Sequence, residues 1–345
     1  MKQEKILVTG AAGFMGSHVV DYLLSSGFKK VYGLDDLSGG HLRNVDKDCK
    51  FTKLDLRDKV RIEKYITDVS PTLIYHLAAD ATEGRSQFTP IECTHRNYLA
   101  YLNLLVPAIR AGLRKVVVTS SMSVYGAQKP PFSEKIPTDP MDIYGISKTA
   151  MERATGILSK VHGFSYTIIR PHNVYGPKQN LSDPYRNVIG IFINSLLRGK
   201  PFYIYGDGKQ KRAFTYIDDF TPYFVKAGFN TKSNKEIINI GPIETFTINE
   251  LAKIVLKNFY DGKPYPKEIK PKYLPERPQE IKEAFCTNEK ATKILGYKTT
   301  ISLEEGIKKM IYWAKSIGAQ KPIYLKKGLE LVGENTPETW SKHLI

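Results

Sequence analysis

The 345-residue chain has little cysteine (three residues) and little tryptophan (two). Cys49, Cys93 and Cys286 are too few and too scattered for a disulfide framework, and no Cys-x-x-Cys pair offers a zinc site. No bound metal is expected. Long apolar runs are missing as well. No stretch approaches the ~18 residues of a membrane span, and the apolar run after residues 1–5 is too short for a secretion signal. These absences point to a reducing cytoplasm without a membrane partner. Blocks of five or more Lys/Arg are also missing, although the net charge is +16. Basic residues are interleaved with acids, as in residues 263–268 (KPYPKE), so nucleic acid is not the expected partner. A diffuse pull on small anions is.

What is present is enough apolar sequence for a large core, at 41% of residues. Short apolar runs recur at residues 5–9, 30–34, 73–77, 116–118, 166–169 and 237–240. Helical spacing separates most of them, as at 14–24, 98–111 and 144–162, with Gly27 as a helix stop. Strands alternating with helices predict an α/β fold on a parallel, doubly wound sheet. Beyond residue 174 the chain is richer in Pro, Gly and Tyr. A dinucleotide-binding domain is therefore expected over 1–173 and a smaller α/β substrate domain over 174–345. The strand near 237–241 is expected to rejoin the first sheet, and an appendage starts at about 318.

Residues 9–16 (TGAAGFMG) stand between the first strand and the first helix. Glycine there lets backbone N–H groups and a helix N-terminus approach a pyrophosphate. Asp35, with Asp36 beside it, ends the second strand, where a carboxylate accepts hydrogen bonds from an adenosine ribose. An acid there repels a 2′-phosphate, so the expected cofactor is NAD, held by Gly10, Gly13, Phe14, Met15, Gly16, Asp35 and Asp36. Further on, Tyr144 and Lys148 stand at i and i+4 on one helix face. A free phenol is a poor base near neutrality, and a neighbouring ammonium favours its ionised form. Ser120 and Ser121 follow a buried strand, at the end of such a sheet where ligands bind.

Together these motifs, with His76-Leu-Ala78-Ala79 and Val124-Tyr-Gly126, resemble the extended short-chain dehydrogenase/reductases. The resemblance runs over residues 4–315 and is strongest to the nucleotide-sugar epimerases and dehydratases of the UDP-glucose 4-epimerase group. It implies a Rossmann-type sheet, a homodimer through the 98–111 and 144–162 helices, whose apolar faces (Leu102, Leu105, Ala150, Ala154, Ile157 and Leu158) are expected to be exposed, and 4-epimerisation of a nucleotide-diphosphate sugar, UDP favoured. It makes Tyr144 the base, Ser121 the group orienting the sugar 4-oxygen, and Lys148 the holder of the nicotinamide ribose. Asp55 and Leu56 match positions near the adenine, with Ala78 and Ala79 beside the cofactor. Asn173, Asn187, Tyr205, Arg212, Arg277 and Glu280 match positions around the substrate nucleotide and diphosphate. Ala284 replaces a bulky residue of some epimerases and leaves room for an N-acetyl group, so UDP-GlcNAc/GalNAc joins UDP-Glc/Gal.

Met122 and Ser123 stand where many dehydratases carry Asp and Glu, which argues against loss of water. Residues 83–85 (EGR), beside the expected hexose, also depart from the better-known pattern. The alternatives are another nucleotide-sugar enzyme of the superfamily (4-ketoreductase, dehydrogenase or 4,6-dehydratase) and, more remotely, a non-enzymatic RNA-binding protein.

Overall fold

The computed structural model describes residues 4–277, 280–325 and 328–345. Seven strands form the main sheet: β1 (Ile6–Thr9), β2 (Val31–Asp35), β3 (Lys50–Lys53), β4 (Leu73–His76), β5 (Lys115–Thr119), β6 (Ser165–Pro171) and β7 (Glu236–Ile240). Their order is β7-β6-β5-β4-β1-β2-β3, and every pairing is parallel. β1, β4 and β5 are buried along their whole length, as a parallel sheet covered on both faces requires. β7 pairs with β6 in register Ile237 to Ile168, so the chain does return to the first sheet after a long excursion. β3 was not visible as an apolar run; Lys50-Phe-Thr-Lys53 is an edge strand with charged, exposed ends.

Helices α1 (Phe14–Ser25), α2 (Lys59–Val69), α3 (Ala100–Arg110) and α4 (Ile143–His162) flank the sheet. A wider π turn, His95–Leu99, leads into α3, so the regular helix starts later than its apolar pattern suggests. The faces of α3 and α4 expose Val106, Ile146, Ile157 and Val161, with Leu99 just before α3. Leu105, expected on that open face, is instead buried at 1% exposure among Leu104, Ala108 and Val116. Past residue 173 three small sheets and the helix Leu303–Ile317 build a second lobe. One apolar cluster runs from Ile6 and Val8 of β1 through Phe224 to Ile307 and Met310, so the two lobes share a core. Among the described residues no helix is long and apolar enough to cross a membrane.

α4 is tied to the sheet by a buried charge cluster. The Glu152 carboxylate accepts hydrogen bonds from Arg170 Nε (2.8 Å) and Nη2 (2.5 Å) on β6, and from the Ser120 hydroxyl just past β5. Both charged side chains are nearly inaccessible, at 5% and 3%. Removing one member of such a pair leaves an uncompensated buried charge. Glu152→Ala is expected to lower unfolding stability by about 3–5 kcal/mol, read from urea denaturation.

Candidate functional site

At the switch point of the sheet, β1 gives way to α1 through a turn that only glycine can make. Gly10 has φ +72°, and a Cβ on Gly16 would lie 2.0 Å from the Gly10 carbonyl oxygen. Gly13 precedes α1 without any side-chain cap, which leaves the first helical N–H groups open to a ligand. Asp35 ends β2 almost buried, at 7% exposure. Its carboxylate accepts the N–H of Leu37 at 2.7 Å and of Ala12 at 3.1 Å, which fixes it beside the glycine turn. Burial pushes its pKa up, and those two N–H groups pull it back. This cradle suits a dinucleotide: donors for the pyrophosphate, no side chain in the way, and a fixed acid for a ribose. Asp36 is engaged by Arg96 at 3.1 Å, and Asp55 by Arg57 at 2.7 Å, so both acids already hold cations.

The sugar end lies at the tip of β5. Ser121 caps the short turn Met122–Tyr125, its Oγ accepting the Ser123 N–H at 3.1 Å. Tyr144 and Lys148 come from the first turns of α4, whose N-terminus is capped by Asp142 on the Gly145 N–H at 2.6 Å. Lys148 Nζ donates to the Thr119 carbonyl at 2.7 Å and lies 5.5 Å from the centre of the Tyr144 ring. Burial brings its pKa down to about 8. Tyr144 departs from expectation. Burial, and next the negative charge of Glu83, raise its pKa well above the ordinary phenol value, although Ser121 lowers it. The protein alone therefore keeps Tyr144 a neutral phenol. His76 lies buried at the end of β4: its Nδ1 meets Thr9 Oγ1 at 2.9 Å, and burial lowers its pKa to about 3.

All the residues expected at the cofactor and substrate line one cavity of about 690 Å³. Asn173 (Nδ2 to the Ala213 carbonyl, 2.8 Å) and Asn187 (Nδ2 to the Val174 carbonyl, 3.1 Å) are fixed on its wall. Arg212 and Arg277 converge on Glu280, each at close range (2.8 and 2.7 Å). The Arg277 guanidinium lies 5.0 Å over the Tyr205 ring, and Ala284 is buried beneath. Pro278 and Gln279 lie outside the described residues.

Three features escaped the sequence. Glu83 reaches Ser121, Arg96 and Arg57 stand on the adenosine side, and the C-terminal segment covers the sugar end. Trp340 packs edge-on against Tyr185 and Phe88, and Thr339 meets the Tyr205 hydroxyl at 2.6 Å. The Glu330 carboxylate pins this segment by accepting the N–H groups of Ile91 and Glu92. Nothing in the tail's sequence pattern announced a wall.

A family model described as the NAD dependent epimerase/dehydratase family matches residues 6–241. The chain belongs to that family. The UDP-glucose 4-epimerase of Mycolicibacterium smegmatis is 35% identical over 318 residues, covering 89% of this chain and 97% of its own. The UDP-glucuronate 4-epimerase of Thermodesulfobacterium geofontis is 31% identical, with 90% and 95% covered. A crystal structure of UDP-glucose 4-epimerase from Thermotoga maritima with UDP-glucose superposes with a TM-score of 0.81 at 33% identity, over 90% of this chain and 99% of that one. Matches also include a UDP-N-acetyl-alpha-D-glucosaminuronate decarboxylase of Bacillus cytotoxicus and the hexosamine 5,6-dehydratase TunA. The chain is thus a nucleotide-sugar epimerase/dehydratase relative on a Rossmann-type sheet, and its cofactor is NAD. Gly16→Ala is expected to abolish retention of the dinucleotide, because the added carbon collides with main chain; nucleotide released on denaturing the purified variant checks this.

Proposed function

We propose that the protein is an NAD-dependent nucleotide-sugar 4-epimerase, acting on UDP-Glc/UDP-Gal and on their N-acetylated counterparts. The observation that carries this reading is the convergence of Ser121, Tyr144 and Lys148 with the glycine turn on one cavity. NAD, when bound, supplies the acceptor and donor of the C4 hydride. Ser121 Oγ positions the 4-oxygen, and the Tyr144 oxygen takes its proton and gives it back. Because burial and Glu83 hold Tyr144 protonated, Lys148 is not sufficient to make it a base. The positive charge of the oxidised nicotinamide is the further contribution the phenolate needs. Arg212 and Arg277 stand ready for the diphosphate, where a guanidinium fork binds best.

Glu83 favours one second reading, a dehydratase, since it offers a carboxyl that the Met122 and Ser123 positions do not. One assay separates the two. The purified protein, given UDP-Glc or UDP-GlcNAc without added NAD, is expected to form the 4-epimer with no net change in nicotinamide absorbance. A product lighter by one water supports the dehydratase, and net NADH change supports a dehydrogenase or ketoreductase. No turnover across UDP-, dTDP-, GDP- and CDP-sugars refutes the reading. Tyr144→Phe is expected to retain NAD and lose on the order of a thousandfold in turnover.

The reading extends to a cytoplasmic homodimer. Its support is three unpaired, buried thiols and the apolar side chains exposed on α3 and α4. Ile157, 64% exposed on α4, is the test position. Ile157→Glu is expected to convert a dimer to monomers in sedimentation velocity while leaving the melting temperature of the monomer intact.

A further inference from the structure

Glu83 opens the short helix Glu83–Ser86, whose Arg85 and Ser86 are held by neighbouring groups. Arg85 pairs with Asp80 at 2.6 Å and stacks 4.8 Å over the Tyr185 ring. Ser86 Oγ donates to the Glu83 carbonyl at 2.6 Å and accepts the Tyr144 N–H at 3.1 Å. This leaves the Glu83 carboxyl on the cavity face, where Ser121 Oγ donates to it at 3.5 Å. Glu83 is exposed, but the space it faces is the cavity. The cavity's arginines are committed elsewhere: Arg212 and Arg277 to Glu280, Arg186 to Asp183 and Arg85 to Asp80. Glu83 forms no ion pair among the described residues.

We propose that Glu83 is a charge filter at the hexose end of the cavity, which selects UDP-sugars whose hexose is uncharged and excludes UDP-uronates. The proposal rests on the 4-epimerase reading, in which Ser121 and Tyr144 hold the sugar 4-oxygen. C6 is two bonds from C4, so a sugar held by its 4-oxygen with C6 turned towards the Glu83–Ser86 helix brings a C6 carboxylate against the Glu83 carboxyl, itself 3.5 Å from Ser121 Oγ. A bound sugar fills the space in front of Glu83 and displaces its water, and two carboxylates cannot share a space so closed without large repulsion or uptake of a proton. A UDP-glucuronate 4-epimerase is 31% identical to this chain, so uronate and hexose substrates are both found on closely similar sequences and the choice falls to individual side chains.

The groups facing Glu83 set the pH at which the filter works. The protein wall packed around the carboxyl withdraws water from it even though the side chain opens onto the cavity, and this desolvation, followed by the charge of Asp142, pushes its pKa up to about 7; Arg212, Arg277 and the Ser121 hydroxyl pull it down. Tyr144 opposite is a neutral phenol and adds no charge. Glu83 is therefore ionised and repels a uronate above that pH. Below it the carboxyl is neutral, and the discrimination relaxes.

The experiment is competition binding to the holoprotein as purified, with UDP-glucose and UDP-glucuronate, at pH values well above and well below 7. The native protein is expected to bind UDP-glucuronate about tenfold or more weakly than UDP-glucose at the higher pH, with the ratio shrinking at the lower. Glu83→Gln is expected to bring the ratio close to one at both, and Glu83→Asp to keep most of the discrimination. Equal binding by the native protein, or unchanged discrimination in Glu83→Gln, overturns the filter. Because the readout is binding, a native protein that discriminates without turning over UDP-glucose leaves the filter standing and the epimerase reading refuted. A native protein that binds neither sugar overturns both.

Discussion

The active site depends on one buried carboxylate. Glu152 on α4 takes two hydrogen bonds from Arg170 on β6 and one from Ser120 at the end of β5. One helical turn before it, Lys148 reaches the Thr119 carbonyl of the same strand end. Two contacts, one turn apart, therefore lock the helix that carries Tyr144 and Lys148 against the strand that delivers Ser121. Arg170 also lies 4.7 Å over the Tyr125 ring, which ties the turn after Ser121 into the same cluster. A surface pairing would hold these groups loosely; burial makes the arrangement costly to break.

Electrostatics then divide the cavity. At the glycine turn, open backbone N–H groups and the fixed Asp35 carboxylate are what the protein presents to the cavity. At the other end, carboxyls and guanidiniums alternate, and Arg212 and Arg277 both pair with Glu280. Tyr144 sits between the two ends, and neither the burial nor the neighbouring Glu83 favours its ionisation. In the proposed reaction, ionisation of Tyr144 is therefore coupled to cofactor binding, since these two effects outweigh the neighbouring Lys148. The net charge of +16 has little part in this; Lys148, Arg212 and Arg277 are the cations with assigned places.

Much of this was legible in the sequence because parallel strands buried on both faces are unbroken apolar runs, and the glycine turn is dictated by close contacts that no other residue tolerates. β3 was not, since an edge strand with Lys at both ends lacks that signature. Leu105 was misplaced because helical spacing alone does not say which face the π turn before α3 turns inward. The sign of the Tyr144 shift was missed because the i, i+4 spacing reveals Lys148 but neither the burial nor Glu83, which comes from 61 positions earlier in the chain. The tail's contribution was invisible: Trp340 and Thr339 reach the cavity through tertiary contacts, without any periodic pattern.

The central claim is that Ser121, Tyr144 and Lys148 reverse one carbon, C4, through removal and return of its own hydrogen. Its most direct measurement uses UDP-glucose carrying deuterium at C4, incubated with the purified protein in ordinary water. The account predicts UDP-galactose with the deuterium kept at C4 and no solvent hydrogen at any carbon. Loss of the label from C4, or solvent hydrogen appearing at C5, would contradict it.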